Sequence, residues 1–440
     1  MERAKLIVKN FGPLKDIEIE VREMVTFIGA QASGKSTLAK LLSIFEDEGF
    51  RSDDRISFED ELKKYNIFSY LKKDTFISYD NINYIGKSPF SFNLKKGVFS
   101  KGTAQRFLSL MKEVNKIQDT NQKKIVEALK KSLGSELKDC LLNDYKRTLT
   151  IFSSKNQKTK FDNEFINNTI STENFVDKIL EILEKEKTPI NYIEIYENLI
   201  NLFPNLYLFD SIYIPTERNI LQIISTNILG LINNDIQIPK YLLNSGQEYE
   251  KAINTIKELP LSIIDKKIKY KREGKTSYIY HNENEKVDLL ESASGLQSII
   301  PILLLVEYSK TLKEEYNFNF VVEEPELNLY PKAQHLLIQY LVKNCLFDRK
   351  NLILTTHSPF VLASINNLLL AYDKGQKNPK EVNKIIKKES WLNPKNFIAY
   401  ELKNGKAKKI MNDKLGQIAE NMIDGVSDNF ADEFDKLLDL

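Results

Sequence analysis

Four short segments carry the residues in this 440-residue chain whose types and spacing suit chemistry. Gly29-Ala30-Gln31-Ala32-Ser33-Gly34-Lys35-Ser36-Thr37 fits G-x-x-x-x-G-K-[ST] in full. Its glycines let successive backbone N–H groups turn inward, and with a following helix N-terminus they make a nest for triphosphate oxygens. In that pattern Lys35 supplies a point charge to the β- and γ-phosphates, and Ser36 offers its hydroxyl to Mg2+. The apolar run Phe318 to Val322 ends in Glu323-Glu324-Pro325-Glu326. Adjacent carboxylates divide the labour: Glu323 suits the Mg2+ shell and Glu324 the orientation of the attacking water. Leu352 to Thr355 ends in Thr356-His357-Ser358-Pro359, and a histidine at the carboxyl end of a parallel strand can reach the γ-phosphate or that water. Glu291-Ser292-Ala293-Ser294-Gly295-Leu296-Gln297-Ser298 precedes an apolar helix, so Ser294 and Gly295 form either a second anion site or an ordinary cap. Singly the last three segments are weak; they gain weight from lying downstream of a phosphate loop.

The elements that must position them follow from periodicity. Met24 to Ile28 reads as a strand running into the glycine loop, after which Leu38, Leu41, Leu42 and Phe45 recur at helical spacing. Two further strands are expected over 4–9 and 17–21, separated by the turn cluster Asn10-Phe11-Gly12-Pro13. From about Thr103 to Pro204 the chain turns Lys-, Glu- and Asn-rich, with apolar residues every three or four positions. This predicts a mainly helical insert, either helices packed on the core or a partner-binding arm. Strand-like runs return at Ser211 to Ile214, Tyr278 to Tyr280, Phe318 to Val322 and Leu352 to Thr355, with helices over Leu296 to Tyr308 and Ala333 to Lys343. The alternation predicts an α/β fold interrupted by the insert. After Trp391 a strand pair around Asn404-Gly405 and an acidic amphipathic helix from Ala431 to Leu440 are expected.

Composition excludes other chemistries. Two cysteines, Cys140 and Cys345, lie far apart in sequence, which leaves no disulfide framework, paired-Cys zinc site or CxxC and fits a reduced, cytoplasmic setting. The three histidines, His281, His335 and His357, lack HExxH or HxH spacing. A net charge of +2 gives no global field for indiscriminate nucleic-acid binding. Apolar runs such as Ile299 to Val306 fall far short of the ~20 residues of a membrane span, and the N-terminus lacks the pattern of an export signal.

In this order the four segments resemble the soluble branch of the ATP-binding-cassette ATPases, which includes SMC proteins, RecF-type repair ATPases and the ATPase part of the OLD family. Leu6-Ile7-Val8-Lys9-Asn10-Phe11-Gly12-Pro13-Leu14 is similar to that branch's opening, and Gly29 to Thr37 to its Walker A motif. Glu323 to Pro331 resembles Walker B and the D-loop, Thr356 to Pro359 the switch histidine, and Ser294-Gly295-Leu296-Gln297 the signature motif. Tyr213-Ile214-Pro215-Thr216-Glu217-Arg218 is similar to a P-[AST]-E-R segment of standalone bacterial members. Three positions depart from the pattern and one motif is missing. Glu323 replaces an Asp, Ala293 the usual signature Ser, and Tyr330 a common His, while no convincing Q-loop glutamine is found, Gln105 being a poor one.

The resemblance implies a P-loop, ABC-type ATPase head with a mixed sheet and the helical insert. Its divisions would be an N-terminal lobe over 1–99, the insert over 100–205, a C-terminal lobe over 206–400 and a tail over 401–440. It also implies an ATP-dependent dimer or higher oligomer. Lys35, Ser36 and Glu323 would bind MgATP on one subunit while Ser294 and Gly295 of another close on the γ-phosphate, and slow hydrolysis at Glu324 would release the pair. The leading expectation is an anti-phage defence ATPase similar to the PARIS and Septu subunits, controlling a separate effector nuclease and responding to DNA or another phage-derived trigger. Only 83 residues follow His357, too few for an OLD-type nuclease domain. The alternative is a DNA-repair or DNA-clamping ATPase of the RecF or SMC type, for which Lys266 to Lys275 and Lys403 to Lys409 would meet phosphates.

Overall fold

The computed structural model describes residues 5–47, 50, 57–79, 82–85, 93–94, 210–226, 238–312, 318–346 and 351–438. The insert expected over 100–205, with Gln105 and Cys140, lies outside the described residues.

The chain begins with a hairpin of β1 (Lys5–Phe11) and β2 (Leu14–Glu20), turned through Asn10 and Gly12 at φ 52° and 54°. Next come β3 (Met24–Gly29), α1 (Lys35–Phe45), α2 (Phe58–Lys64), β4 (Phe76–Tyr79), β5 (Ile82–Ile85) and β6 (Asn93–Leu94). The second part opens with β7 (Asp210–Ile214) and α3 (Lys240–Thr255), followed by the short strands β8 (Glu258–Pro260), β9 (Lys269–Glu273), β10 (Thr276–Tyr280) and β11 (Lys286–Asp288). It continues through α4 (Ser294–Thr311), β12 (Phe318–Glu323), α5 (Pro331–Cys345), β13 (Asn351–Thr356), α6 (Pro359–Gly375) and α7 (Pro379–Ile385). A hairpin of β14 (Phe397–Lys403) and β15 (Lys406–Lys409) and the helix α8 (Met422–Leu438) follow.

Among the described residues one mixed sheet runs in the order β6-β5-β4-β1-β2-β15-β14-β3-β13-β12-β7. Its site-bearing half, β14-β3-β13-β12-β7, is parallel throughout. Strands of the first and last parts interleave, so the segments on either side of the insert build a single sheet. Burial on both faces explains the near-continuous apolar runs. Met24, Ile28, Phe320, Val322, Leu352 and Leu354 enter the core formed with α3, α4, α5 and α6. Val25, Phe27, Val321 and Ile353 enter the opposite core, against α1 and the β1–β2 hairpin. The two-residue period of the strands thus divides one sheet between two cores.

Two local features differ from expectation. Of the four-stranded sheet β11-β10-β9-β8 only the middle of β10 is apolar enough to announce itself; the others are Lys- and Glu-rich because their outer face is half exposed. The terminal helix starts at Met422 rather than Ala431: Met422 N–H donates to Glu401 Oε2 at 2.8 Å and Ile423 packs on the core, anchoring a first turn that Gly425 obscures in the sequence. No helix among the described residues is long and apolar enough to cross a membrane.

His335 fastens α5 to α6. Gln339 Nε2 donates to its Nε2 at 2.7 Å, which places the ring proton on Nδ1, where it reaches Ser364 Oγ at 3.0 Å. Burial holds this imidazole below its ordinary value of 6.5. The folded state therefore binds fewer protons than the unfolded chain, and stability is lost as pH falls through the unfolded value. In His335→Gln the loss of urea stability between about pH 8 and about pH 5 is expected to be smaller than in the parent; an equal loss would show that the ring is not held neutral.

Candidate active site

The loop after β3 is shaped by its glycines. At Gly29, φ is 154° and a Cβ would stand 2.6 Å from the carbonyl oxygen of Leu402 on the neighbouring strand β14. Gly34 caps α1 at φ 102°, with Leu14 of the hairpin beneath it, and Ala32 adopts φ 59° between them. Ala30, Gln31, Ala32 and Ser36 are exposed, Ser33 is half-buried, and Thr37 is buried at the foot of the helix. Lys35 is 5% exposed and curls back over the loop, donating to the carbonyls of Gly29 at 2.8 Å and Ala30 at 2.9 Å. Burial lowers its pKa, opposed by the negative charges of Glu324, Glu326 and Glu323.

Those carboxylates arrive by strand register. Glu323 pairs with Thr355 across β12 and β13, and Thr356 pairs with Ile28 across β13 and β3, so three carboxyl ends meet at one edge. Glu323 is 2% exposed. Burial raises its pKa, while the Lys40 ammonium and the Tyr213 and Ser36 hydroxyls facing it pull the other way. Its Oε1 has no hydrogen-bond partner among the described residues. Lys40, one turn beyond Ser36, lies 4.5 Å over the Tyr241 ring, and Tyr241 Oη donates to Glu217 at 3.3 Å.

Glu324 has φ 41°, a left-handed backbone that costs a non-glycine residue about 1–3 kcal/mol. Its N–H donates to Thr355 O at 3.0 Å, and the turned backbone sends its carboxylate to His357, whose Nε2 lies 3.0 Å from Oε1. Glu326 supports that histidine from behind: its buried Oε1 accepts from Thr356 Oγ1 at 2.7 Å and from the His357 N–H at 2.8 Å. Burial raises the Glu326 pKa, and those two donors oppose the rise.

The structure thus brings Gly29, Gly34, Lys35, Ser36, Glu323, Glu324 and His357 to one edge. Ser294 and Gly295 stand at the first turn of α4, where Ser294 is exposed and Gly295 packs on Asn328 and Leu329. A Cβ on Gly295 would stand 2.7 Å from Asn328 O, so the glycine at this point serves a contact within the chain. Sequence reasoning gave no role to Lys40, Glu326 or Arg218. Glu326 sits inside the carboxylate run, and Arg218 four residues past the end of an apolar strand, in the P-[AST]-E-R-like segment; Lys40 had no sequence signal beyond its helical spacing from Ser36.

The chain belongs to the AAA ATPase domain family, whose profile matches residues 1–362. It is therefore a nucleotide-binding protein and an ATPase. No curated protein sequence matches it. Among solved structures it is similar to an SMC head domain with an extended coiled coil bound to the C-terminal domain of ScpA, from Pyrococcus furiosus. That alignment is 11% identical, covers 92% of this chain and 95% of that one, and has a TM-score of 0.34. It is similar also to the SMC head domain from Thermotoga maritima, at 9% identity, 93% and 98% coverage and a TM-score of 0.34. An ATP-binding cassette of an ABC transporter in its ADP conformation matches at 11% identity, 94% and 93% coverage and a TM-score of 0.32.

Because the Asn328 carbonyl cannot yield as a side-chain tip could, Gly295→Ala must displace α4 from the segment around Asn328. A stability loss of about 1–3 kcal/mol is expected in urea denaturation. A neutral substitution would show that this approach is not tight.

Proposed function

We propose that the chain is an ATP-gated switch: it binds MgATP at the β3–α1 loop, hydrolyses it with Glu324 and His357, pairs with a second copy while ATP is bound, and so controls a separate effector nuclease in anti-phage defence. The contact that carries this reading is His357 Nε2 to Glu324 Oε1, 3.0 Å apart on the edge that also holds Lys35. The residues fit a divalent cation, because the Glu323 carboxylate keeps one buried, unpartnered oxygen and the Ser36 hydroxyl lies against the same carboxylate. Ser36 and Glu323 would hold Mg2+, which when bound neutralises charge on the phosphate oxygens.

The chain's own residues do the rest. Lys35 exchanges the Gly29 and Ala30 carbonyls for phosphate oxygens, and the N–H groups at the start of α1 take others. The Glu324 carboxylate, through the oxygen His357 leaves free, orients water for in-line attack on the γ-phosphorus and takes up its proton as the bond to the bridging oxygen breaks, giving ADP and phosphate. His357 holds that carboxylate in place. Ser294 and Gly295 lie exposed or half-buried at a helix N-terminus, which suits them to close on the nucleotide of a second copy. This reading keeps a head of 1–99 and 206–400, an insert over 100–205 and a tail over 401–440, with the β14–β15 hairpin shared because it lies inside the sheet. Its setting is the cytoplasm, and its trigger DNA or another phage product.

The defence reading rests on the likeness to standalone bacterial members of the branch, to which Pro215-Thr216-Glu217-Arg218 is similar. The repair reading, a RecF- or SMC-type DNA clamp, shares the site and needs a basic surface. On the outer face of the small sheet Lys269 is paired with Glu258, and Lys271 and Lys286 with Glu273, which compensates much of that charge. Expected outcomes separate the two. Glu324→Gln should lose hydrolysis by about 10²–10⁴-fold and form an ATP-dependent dimer in size-exclusion light scattering. A monomer with ATP bound would refute the pairing, and steeply salt-dependent duplex binding would favour the repair function.

A further inference from the structure

The geometry assigns Arg218 as a positioning residue that holds Glu324 in its working conformation and ties it to the first turns of α4, so that movement of Ser294 and Gly295 is felt at the water-orienting carboxylate. The assignment rests on the proposed role of Glu324.

Arg218 is 0% exposed and follows β7 in the 3-10 turn Thr216–Ile220. Its guanidinium reaches three segments at once. Nε donates to Ser298 O of α4 at 2.8 Å; Nη1 donates to Pro215 O at 3.2 Å and Glu323 O at 2.8 Å; Nη2 donates to Glu324 O at 2.8 Å. All four acceptors are neutral carbonyls. Burial lowers the Arg218 pKa to about 10, and the surrounding charges of Glu326, Glu324, Glu323 and Glu217 favour the cation. A planar fork is the side chain able to hold two successive carbonyls of one strand end and a third from a helix.

The two carbonyls belong to the residues that need aiming. Glu324 is left-handed at φ 41°, and a backbone of that kind persists only where its surroundings fix it. Thr355 O takes its N–H, Arg218 takes its carbonyl, and His357 meets its side chain. On the other side, Ser298 is four residues past Ser294, in the part of α4 where Pro301 removes the N–H that would bind the Gln297 carbonyl. Arg218 therefore joins the helix that carries the exposed Ser294 to the strand end that carries Glu324, through one rigid group.

The test is a double-mutant cycle on the full chain, with MgATP as the ligand. Arg218→Lys keeps the charge but its single ammonium cannot span the three segments. It is expected to bind a fluorescent ATP analogue within about threefold of the parent while kcat falls about 30-fold or more, a loss confined to the chemical step. Single-turnover hydrolysis followed over hours then compares Arg218→Lys, Glu324→Gln and the double variant. If Arg218 acts through Glu324, adding Arg218→Lys to Glu324→Gln costs less than about threefold more. Arg218→Gln, which retains two donors without burying a charge, repeats the test if the Lys variant melts below the assay temperature. A kcat within about threefold of the parent, losses that multiply, or loss of the fold in both variants would overturn the assignment. The failures are separable: an active Glu324→Gln refutes the role of Glu324 itself, whereas an inactive Glu324→Gln beside an active Arg218→Lys refutes only the inference.

Discussion

Everything at the site depends on one electrostatic constraint: a nearly buried ammonium, Lys35, placed beside three carboxylates at the carboxyl ends of parallel strands. Neither sign could be kept there alone, since burial pushes the pKa of Lys35 down and those of Glu323 and Glu326 up. Mutual attraction offsets much of this cost, but not all of it. Lys35 settles on two loop carbonyls and Glu323 keeps an unpartnered oxygen, so one ammonium faces three carboxylates and the cluster is short of both positive charge and partners. A polyanion with its counter-ion is the ligand that completes such an arrangement.

The sheet exists in the form that constraint requires. Parallel pairing of β14, β3, β13, β12 and β7 brings the strand ends to one edge, and two cores hold the register from opposite faces. A one-residue slip of β12 would move Phe320 and Val322 out of one core and carry Glu323 away from Lys35. The hydrophobic pattern thus fixes the position of the charges. The strained backbone of Glu324 belongs to the same design, held by hydrogen bonds from both directions.

Much of this was legible in the residues. Phosphate loops, apolar strands and their polar ends have local signatures, because the chemistry needs particular side chains at fixed distances along the chain; Gly29 to Ser36 and Glu323 to Glu326 announced themselves this way. The β3, β12 and β13 strands were equally plain, being apolar on both faces. What escaped was the set of contacts made between segments distant in sequence. Arg218 meets Ser298 and Glu324 only after folding. Gly295 resembles a phosphate-contact glycine, yet its first constraint is the Asn328 carbonyl, which no local pattern reveals. The small sheet was hidden by composition, since half-exposed strands with Lys and Glu on one face read as solvated loops.

The central claim is that the buried charge cluster is completed by ATP together with a divalent cation held by Glu323. Equilibrium titration of a fluorescent ATP analogue, with Mg2+ and with a chelator, tests it most directly in the parent and in Glu323→Gln. Mg2+ should tighten binding by about tenfold or more in the parent, and that dependence should vanish in Glu323→Gln. Equal Mg2+ dependence in the two proteins would contradict the account.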